Sequence, residues 1–499
     1  MNFTIFGAVI AGIGLLLLSR GTVMTMLVLM MACSLFGGSA AIILTAIGGS
    51  SVPPEQFAMV FALARLFLPG SGQTKALLKA ARENAALGLY ALYGLVSAIF
   101  APRYFRDQMR VAPMRSASNS RWIFDTVPLA PSSTNITVTV YMIGSFFAGL
   151  IAYVAMKDPK SAKRFVNVGV VIAWIHITLG ILAAVLKGTP FDLVIDFIRN
   201  ANYAQTNQSV DGIVRITGVF SEPSSYVAFG FGWFVFLFEC WLRDILPRRT
   251  GIAGAAMGAV LFCSTSSTAY LALAAYAAIV VLRILMLPQY LGLRKGLTIA
   301  AAILFLLIAV SVIGLAFPAF SDAMVTLLRH MTIDKQQSES GLQRAFWAKI
   351  GLTAFAVSDG LGVGPGSFRS SSFATAMLGS VGAVGAALLL SHLVRALKPL
   401  RISTYCGYQD RQRFGDEAMI SAAAAWAAIG VLIPASIISP TCDVGSDFAV
   451  FTGVALALRP FRKPAPDTAA HGDRSAIARD VTQPFDLWPD HETADRYDR

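Results

Sequence analysis

Ile136-Thr-Val-Thr-Val-Tyr-Met-Ile-Gly-Ser-Phe-Phe-Ala-Gly-Leu-Ile-Ala-Tyr-Val-Ala-Met156 runs without a charge and is followed at once by Lys157, Lys160, Lys163 and Arg164. Hydrocarbon offers no water to pair a backbone donor or acceptor. An apolar run of roughly 20 residues is therefore stable there as a helix, which closes its hydrogen bonds within itself. The basic cluster behind the run marks the end expected on the cytoplasmic side.

The same alternation extends in both directions. Apolar runs lie near 3 to 18, 22 to 47, 56 to 69, 85 to 101, 136 to 156, 166 to 186, 226 to 242, 252 to 263, 266 to 287, 296 to 316, 373 to 395, 418 to 438 and 444 to 458. The expected fold is all-α, a polytopic transmembrane helical bundle of about 12 to 13 spans with a partly helical outer loop region. The stretch 252 to 287 exceeds one crossing and is divided at the polar run Ser264-Thr-Ser-Ser-Thr268. Asn2 to Leu18 is apolar from its start and carries no basic leader, so it reads as the first span rather than a cleaved signal.

Composition agrees. Of 499 residues 56% are hydrophobic and 14% charged, with a mean hydropathy of +0.64, outside the range of soluble domains. The alternating pattern of an outer-membrane barrel is absent. In a soluble chain the net charge of +12 would point to nucleic acid, but here most Lys and Arg sit in short loops beside spans, where they report topology. Cys33, Cys240, Cys263, Cys406 and Cys442 have neither paired nor metal-like spacing, so no disulfide framework and no metal site is expected.

The short loops holding Lys75, Lys79 and Arg82, then Lys157 to Arg164, Arg243 to Arg249, Arg294 and Lys295, and Arg401 to Arg413 should be cytoplasmic. Residues 1 to 463 then form one membrane domain with long outer loops near 102–135, 187–225 and 317–372. Residues 464 to 499 are polar and rich in Asp, and are expected as a disordered cytoplasmic tail. Arg103, Arg106, Arg110, Arg115 and Arg121 fall on the outer side against the charge rule, which long loops obey poorly. The chain shows no fixed-period repeat and no inverted halves, which weighs against a secondary transporter.

Two outer stretches carry the polar chemistry. Arg215-Ile-Thr-Gly218-Val-Phe220-Ser221-Glu222-Pro223-Ser224 closes the second long loop just before a span. As an ordinary helix start it would use Ser221 as N-cap, Glu222 against the helix dipole and Pro223 in the first turn. As a site it would place a cation, a carboxylate and the Ser224 hydroxyl at the membrane boundary. The second stretch runs from Ser340 through Arg344 and Trp347 to Gly360-Leu-Gly362-Val-Gly364-Pro-Gly366-Ser-Phe368-Arg369. No Gly-Lys-Ser/Thr follows, so it is no nucleotide phosphate loop, and its glycines serve either a structural turn or a close backbone approach to a ligand. Ser264 to Thr268 would line a cavity or bond backbone carbonyls. Arg65 and His176 lie inside apolar runs, where ionisable groups are costly, and His330 is an isolated loop histidine.

The order of these features, Arg-x-x-Gly-x-Phe before a span, a Ser/Thr run between two short spans, then Arg-x-x-Trp leading to Gly-Val-Gly-x-Gly-x-Phe, resembles the O-antigen ligase and polysaccharide polymerase family of bacterial inner-membrane glycosyltransferases. The resemblance covers roughly residues 200 to 395. It implies transfer of glycan from an undecaprenyl-diphosphate carrier to an acceptor glycan at the periplasmic face, without nucleotide sugar, metal or other cofactor, and alongside other polysaccharide assembly and export proteins. Arg215 and Arg344 match the arginines thought to hold the diphosphate, and Gly362 to Phe368 match the glycine turn. This places Ser224, Gly364, Gly366 and Arg369 among the expected substrate contacts. The chain departs from ligases in having Glu222-Pro223-Ser224 where a Pro-Asn is usual and Ser370-Ser-Ser372 where a His follows the turn. Both departures favour a polymerase over a ligase.

Chemistry supports the same residues. Breaking a glycosyl diphosphate leaves negative charge that guanidinium groups can hold, and the acceptor hydroxyl must give its proton to a base, for which Glu222 is the carboxylate beside the first arginine. The rival from another class is a flippase or exporter of lipid-linked glycan, which should carry ionisable residues deep in several spans. A non-catalytic scaffold has no sequence signature of its own.

Overall fold

The structure is a computed structural model, and it describes residues 2–44, 50–68, 72–114, 124–158, 160–200, 209–210, 213–286, 293–316, 339–398 and 408–459. The tail from 464, His330, Arg115 and Arg121 lie outside these residues. Residues 1 to 460 form one compact unit.

The chain is an all-α polytopic bundle. It begins with α1 (Ile5–Arg20), α2 (Val23–Ser34), α3 (Pro54–Phe67), α4 (Thr74–Glu83), α5 (Ala85–Tyr104), α6 (Ser133–Ala155), α7 (Ser161–Val185) and α8 (Phe191–Ile198). It continues with α9 (Pro223–Leu242), α10 (Pro247–Cys263), α11 (Ser267–Met286), α12 (Leu293–Ala316), α13 (Glu339–Val357), α14 (Phe373–Ala396), α15 (Tyr408–Ile438) and α16 (Ser446–Ala457). Among the described residues seven helices are long and apolar enough to cross a membrane: α5, α6, α7, α9, α11, α14 and the part of α15 from Gly415. The short apolar helices α1, α2 and α16 join them. The only strands among the described residues are short antiparallel pairings, of which the largest joins β1 (Asn2–Phe3), β2 (Ile42–Leu44) and β3 (Ser50–Val52).

Two expectations are corrected. The apolar run 22–47 is not one span, because α2 stops at Ser34. There the Gly38 amide donates to the Val219 carbonyl at 3.0 Å, and the Phe220 ring occupies the space that a side chain on Gly37 would need. The chain turns and enters β2. The basic segment of Lys75, Lys79 and Arg82 is also no loop but the amphipathic helix α4. The split of 252–287 holds: α10 ends at Cys263 and α11 starts at Ser267.

Between helices in lipid there is no gain from removing apolar surface from water, so association depends on close packing and polar contacts. Close approach follows from small residues. A Cβ on Gly453 of α16 would stand 2.5 Å from the Gly149 carbonyl oxygen of α6. α9 forms the central post, with Trp233 and Phe236 buried against Phe165 of α7 and Phe451 of α16.

The basic segments meet at one end of this bundle. Lys163 pairs with Asp416 at 3.2 Å and Lys295 with Asp244 at 2.9 Å, while Arg395 and Arg459 both reach Glu83. Arg65 lies in the last turn of α3 toward this end, so it is not deep in a span and corresponds to an interfacial anchor.

Candidate functional site

At the opposite end, the start of α9, the start of α13 and the links before α3, α14 and α16 enclose a cavity of about 1370 Å³. Its wall includes Glu222, Ser224, Arg344, Trp347 and Arg369.

Each side chain is placed by local rules. Pro223 opens α9 at its first position, where no amide bond is lost. The N-cap is Glu222, not Ser221 as expected, with extended backbone at φ −147° and ψ 155°. The Ser224 hydroxyl donates to Glu222 Oε2 at 2.9 Å, which holds the carboxylate at the helix start. Phe220 anchors the segment by packing among His176, Tyr226 and Phe229.

Arg344 lies in α13 and its carbonyl accepts from the Ser371 hydroxyl at 2.7 Å, which ties α13 to the segment before α14. In that segment the Arg369 amide donates to the Ala112 carbonyl at 2.9 Å. The Arg369 guanidinium lies over the Trp347 ring at 4.4 Å, so the Arg-x-x-Trp motif supplies one cation and the platform for another. Arg215 does not line the cavity, but it is close enough to Arg344 for the two charges to repel.

Burial pulls the guanidiniums of Arg215, Arg344 and Arg369 down from their ordinary value. The charge of Arg344 adds to this for Arg215, and Glu222 pushes all three back up. All remain charged, because a guanidinium starts so far above neutrality. Among the described residues neither Arg344 nor Arg369 has an ion-pair partner within 4 Å, and Arg369 Nε is buried without a hydrogen-bond partner. Half-buried cations left this way form a site for an anion with forked acceptors.

The glycine turn plays a different part from the expected one. Gly364 and Gly366 have φ of +96° and +73°, which side chains rarely tolerate. A Cβ on Gly364 would stand 2.9 Å from the Ser97 carbonyl oxygen of α5, and one on Gly366 would collide with the Thr134 carbonyl of α6. Both glycines are buried and neither lines the cavity. The substrate contact expected of them is replaced by helix packing, which sets the height of Arg369 three to five residues further on. Asn135 of α6 secures the turn by donating to the Pro365 carbonyl at 2.7 Å.

The remaining expectations resolve as packing. Ser264 donates to the Leu261 carbonyl at 2.6 Å, and the run Ser264 to Thr268 does not line the cavity. His176 is buried, its ring stacked on Tyr226 at 3.9 Å, and the Tyr226 hydroxyl donates to its carbonyl.

Sequence reasoning missed a second group of polar residues on the same cavity. Glu55 starts α3, Asp443 lies between α15 and α16, and Asp447 is in the first turn of α16, and all three line the cavity. The link of Asp443 folds back into the bundle. The Tyr90 hydroxyl of α5 donates to the Cys442 carbonyl at 2.6 Å, and Ser145, midway along α6, donates to Asp443 Oδ1 at 2.8 Å. The signal was present in Pro440-Thr-Cys-Asp443-Val-Gly-Ser-Asp447, which interrupts two apolar runs. Glu239 in α9 and Arg283 in α11 were also overlooked, so ionisable residues lie within more spans than Arg65 and His176 implied.

No protein-family model and no curated protein matches this chain.

Proposed function

We propose that the protein is a polysaccharide polymerase of the bacterial inner membrane, which moves glycan from an undecaprenyl-diphosphate carrier onto an acceptor glycan at the periplasmic face. The observation that carries this reading is the pair Arg344 and Arg369, half-buried on the cavity wall and without an ion-pair partner among the described residues. The carrier diphosphate supplies the missing anion, with Arg215 strengthening the local field.

An acceptor hydroxyl oxygen attacks the anomeric carbon. The bond from that carbon to the phosphate oxygen breaks, and its electron pair leaves with the diphosphate. The arginines hold that charge as it develops, a role that in other diphosphate transfers falls to a metal ion. The hydroxyl proton passes to a carboxylate on the wall, Glu222 being the one in the field of the arginines. The three serines Ser370 to Ser372 stand where a ligase carries its histidine, so the polymerase reading leads over O-antigen ligase.

Export of lipid-linked glycan is the second reading, and it is favoured by Asp443 on a link that folds in as far as the middle of α6. Glycan sizing in a deletion strain separates the readings. Single repeat units with no long chains support a polymerase, accumulated carrier-linked polymer a ligase, and carrier glycan retained on the cytoplasmic face an exporter. Binding of undecaprenyl diphosphate to the purified protein, lost on Arg344→Ala, tests the anion site directly. Sidedness is tested by cysteine labelling in intact cells: Tyr104→Cys should react from outside and Lys163→Cys should not.

A further inference from the structure

The cavity has a pair of arginines on one wall and a separate group of carboxyl side chains on another. Arg344 and Arg369 stand at the mouth, on α13 and the segment before α14. Glu55, Asp443 and Asp447 stand on the other wall, on the start of α3 and on the link into α16. Pro440 is level with the mouth, since its carbonyl accepts from the Ser370 amide at 3.1 Å. Three residues on, Asp443 is bonded by Ser145 midway along α6, so the chain descends from the mouth to a floor well inside the bundle.

Unwound backbone at such a depth is tolerated where it is enclosed by protein or faces a watered cavity, and a carboxylate there is costly without a purpose. The floor is also organised. Ser446 donates to Glu55 Oε2 at 2.9 Å, linking α16 to α3 just as Ser145 fixes Asp443. Asp443 also accepts from the Val444 and Gly445 amides, and both carboxyl groups keep acceptor capacity beyond these bonds. Ser34, Ser439 and Ser446 line the same space, and Phe36 and Phe229 add ring surface beside them. Acceptor oxygens, hydroxyls and ring faces together match a sugar, whose hydroxyls donate and whose C–H faces are apolar.

We propose that this acidic floor is the subsite for the acceptor glycan, in which Asp443, Glu55 and Asp447 accept hydrogen bonds from the hydroxyls of an uncharged sugar. This rests on the transferase reading above and adds to it separate places for the two substrates. The anionic carrier is drawn to the arginine mouth, and the acceptor is held at the floor.

The experiment compares wild type with Asp443→Asn and with the double variant Glu55→Gln/Asp443→Asn in two measurements. One is binding of undecaprenyl diphosphate to protein in nanodiscs, and the other is polymer length and carrier-linked repeat units in cells at matched protein abundance. The expected result is carrier affinity within about twofold of wild type with polymer reduced at least about tenfold and repeat units accumulating, since lost hydrogen bonds to charged groups are large enough for that. Wild-type polymer from the double variant overturns the inference, and so does a loss of carrier binding, which would place the donor on the floor. Ser145→Ala, which removes the side-chain bond to Asp443 while keeping every charge, serves where the charge variants fail to accumulate. The same split is expected of it, and full polymer overturns the inference. A wild-type protein that binds no undecaprenyl diphosphate would instead remove the transferase reading itself.

Discussion

Two groups of arginines sit at opposite ends of α9, an inner one at the end where the basic segments meet and an outer one at the cavity, and they are held in opposite ways. At the inner end Glu239 is shared by Arg243 and Arg283, with the Tyr276 hydroxyl as a further donor, and the Arg283 guanidinium lies over the Trp426 ring at 3.9 Å. Glu239 and Arg243 are 0% exposed. At the outer end Arg344 and Arg369 line a cavity, and Glu222 acts on them only at a distance. The inner group already holds its counter-charge and ties α9 to α11 and α15. The outer group keeps its capacity for a ligand, at a cost in stability that a purely structural cluster would not carry.

The largest effect should come from breaking the inner group. Glu239→Gln removes the carboxylate that the two buried guanidiniums share, and removing one partner of a buried pair costs about 3 to 5 kcal/mol. Membrane-inserted protein should fall several-fold, and what remains should melt well below wild type in detergent. Normal abundance with unchanged melting would mean that the inner group carries no more stability than the outer one, and the contrast would fail.

Next comes the outer group, where the effect falls on activity and not on stability. Arg344→Lys and Arg369→Lys keep the charge but lose the planar fork, so both proteins should accumulate normally while polymer drops about 10² to 10³-fold, as for loss of a donor to a developing oxyanion. Pulse-labelled polymer divided by immunoblot signal reads this directly. Full output from either variant would make that arginine an anchor.

The bundle was readable because its signal is local: a long uncharged run ended by a basic cluster defines a helix such as α6 or α7 wherever it is placed. The errors have the opposite origin. The run 22–47 reads as one span, yet α2 stops at Ser34 because Val219 and Phe220, far along the chain, meet Gly37 and Gly38. Of the candidate site, Glu222 and Arg369 could be picked out because each comes just before a span, and Arg215 and Arg344 because they lie in the polar segments that lead there. Glu239 and Arg283 were hidden by averaging, one charge in an otherwise apolar run. The floor was hidden by distance, since Glu55 and Asp443 come together only when α3, α6 and α16 pack. Gly364 and Gly366 were correctly read as needing glycine, but the close neighbour is α5 and α6 backbone.

Glu222 sharpens the comparison because it faces the outer arginines as Glu239 faces the inner ones. As a cap alone it contributes about 0.3 to 1 kcal/mol to the first turn of α9, and Glu222→Gln would then leave polymer nearly unchanged. As proton acceptor its loss should lower polymer by about 10²-fold at normal abundance. Glu222→Asp separates charge from reach, since the shorter carboxylate keeps the field of the arginines and withdraws from the acceptor.

The smallest effect should come from the platform beneath Arg369. Both arginine groups use a tryptophan face, Trp426 under Arg283 and Trp347 under Arg369. Trp347 also packs on the apolar cluster of Phe105, Ile350 and Phe368. Trp347→Leu keeps apolar contact there and removes the ring face. A cation over a partly exposed ring is worth about 0.5 to 1 kcal/mol, so affinity for undecaprenyl diphosphate should weaken about two- to fivefold. Trp347→Phe, with a weaker face in the same place, should fall between wild type and Leu. The same change at the inner end, Trp426→Leu, should leave carrier affinity untouched and lower the melting temperature instead. If Trp347→Leu shifts melting but not carrier affinity, the two platforms do the same structural work, and Arg369 is held in place by its backbone bond to Ala112 alone.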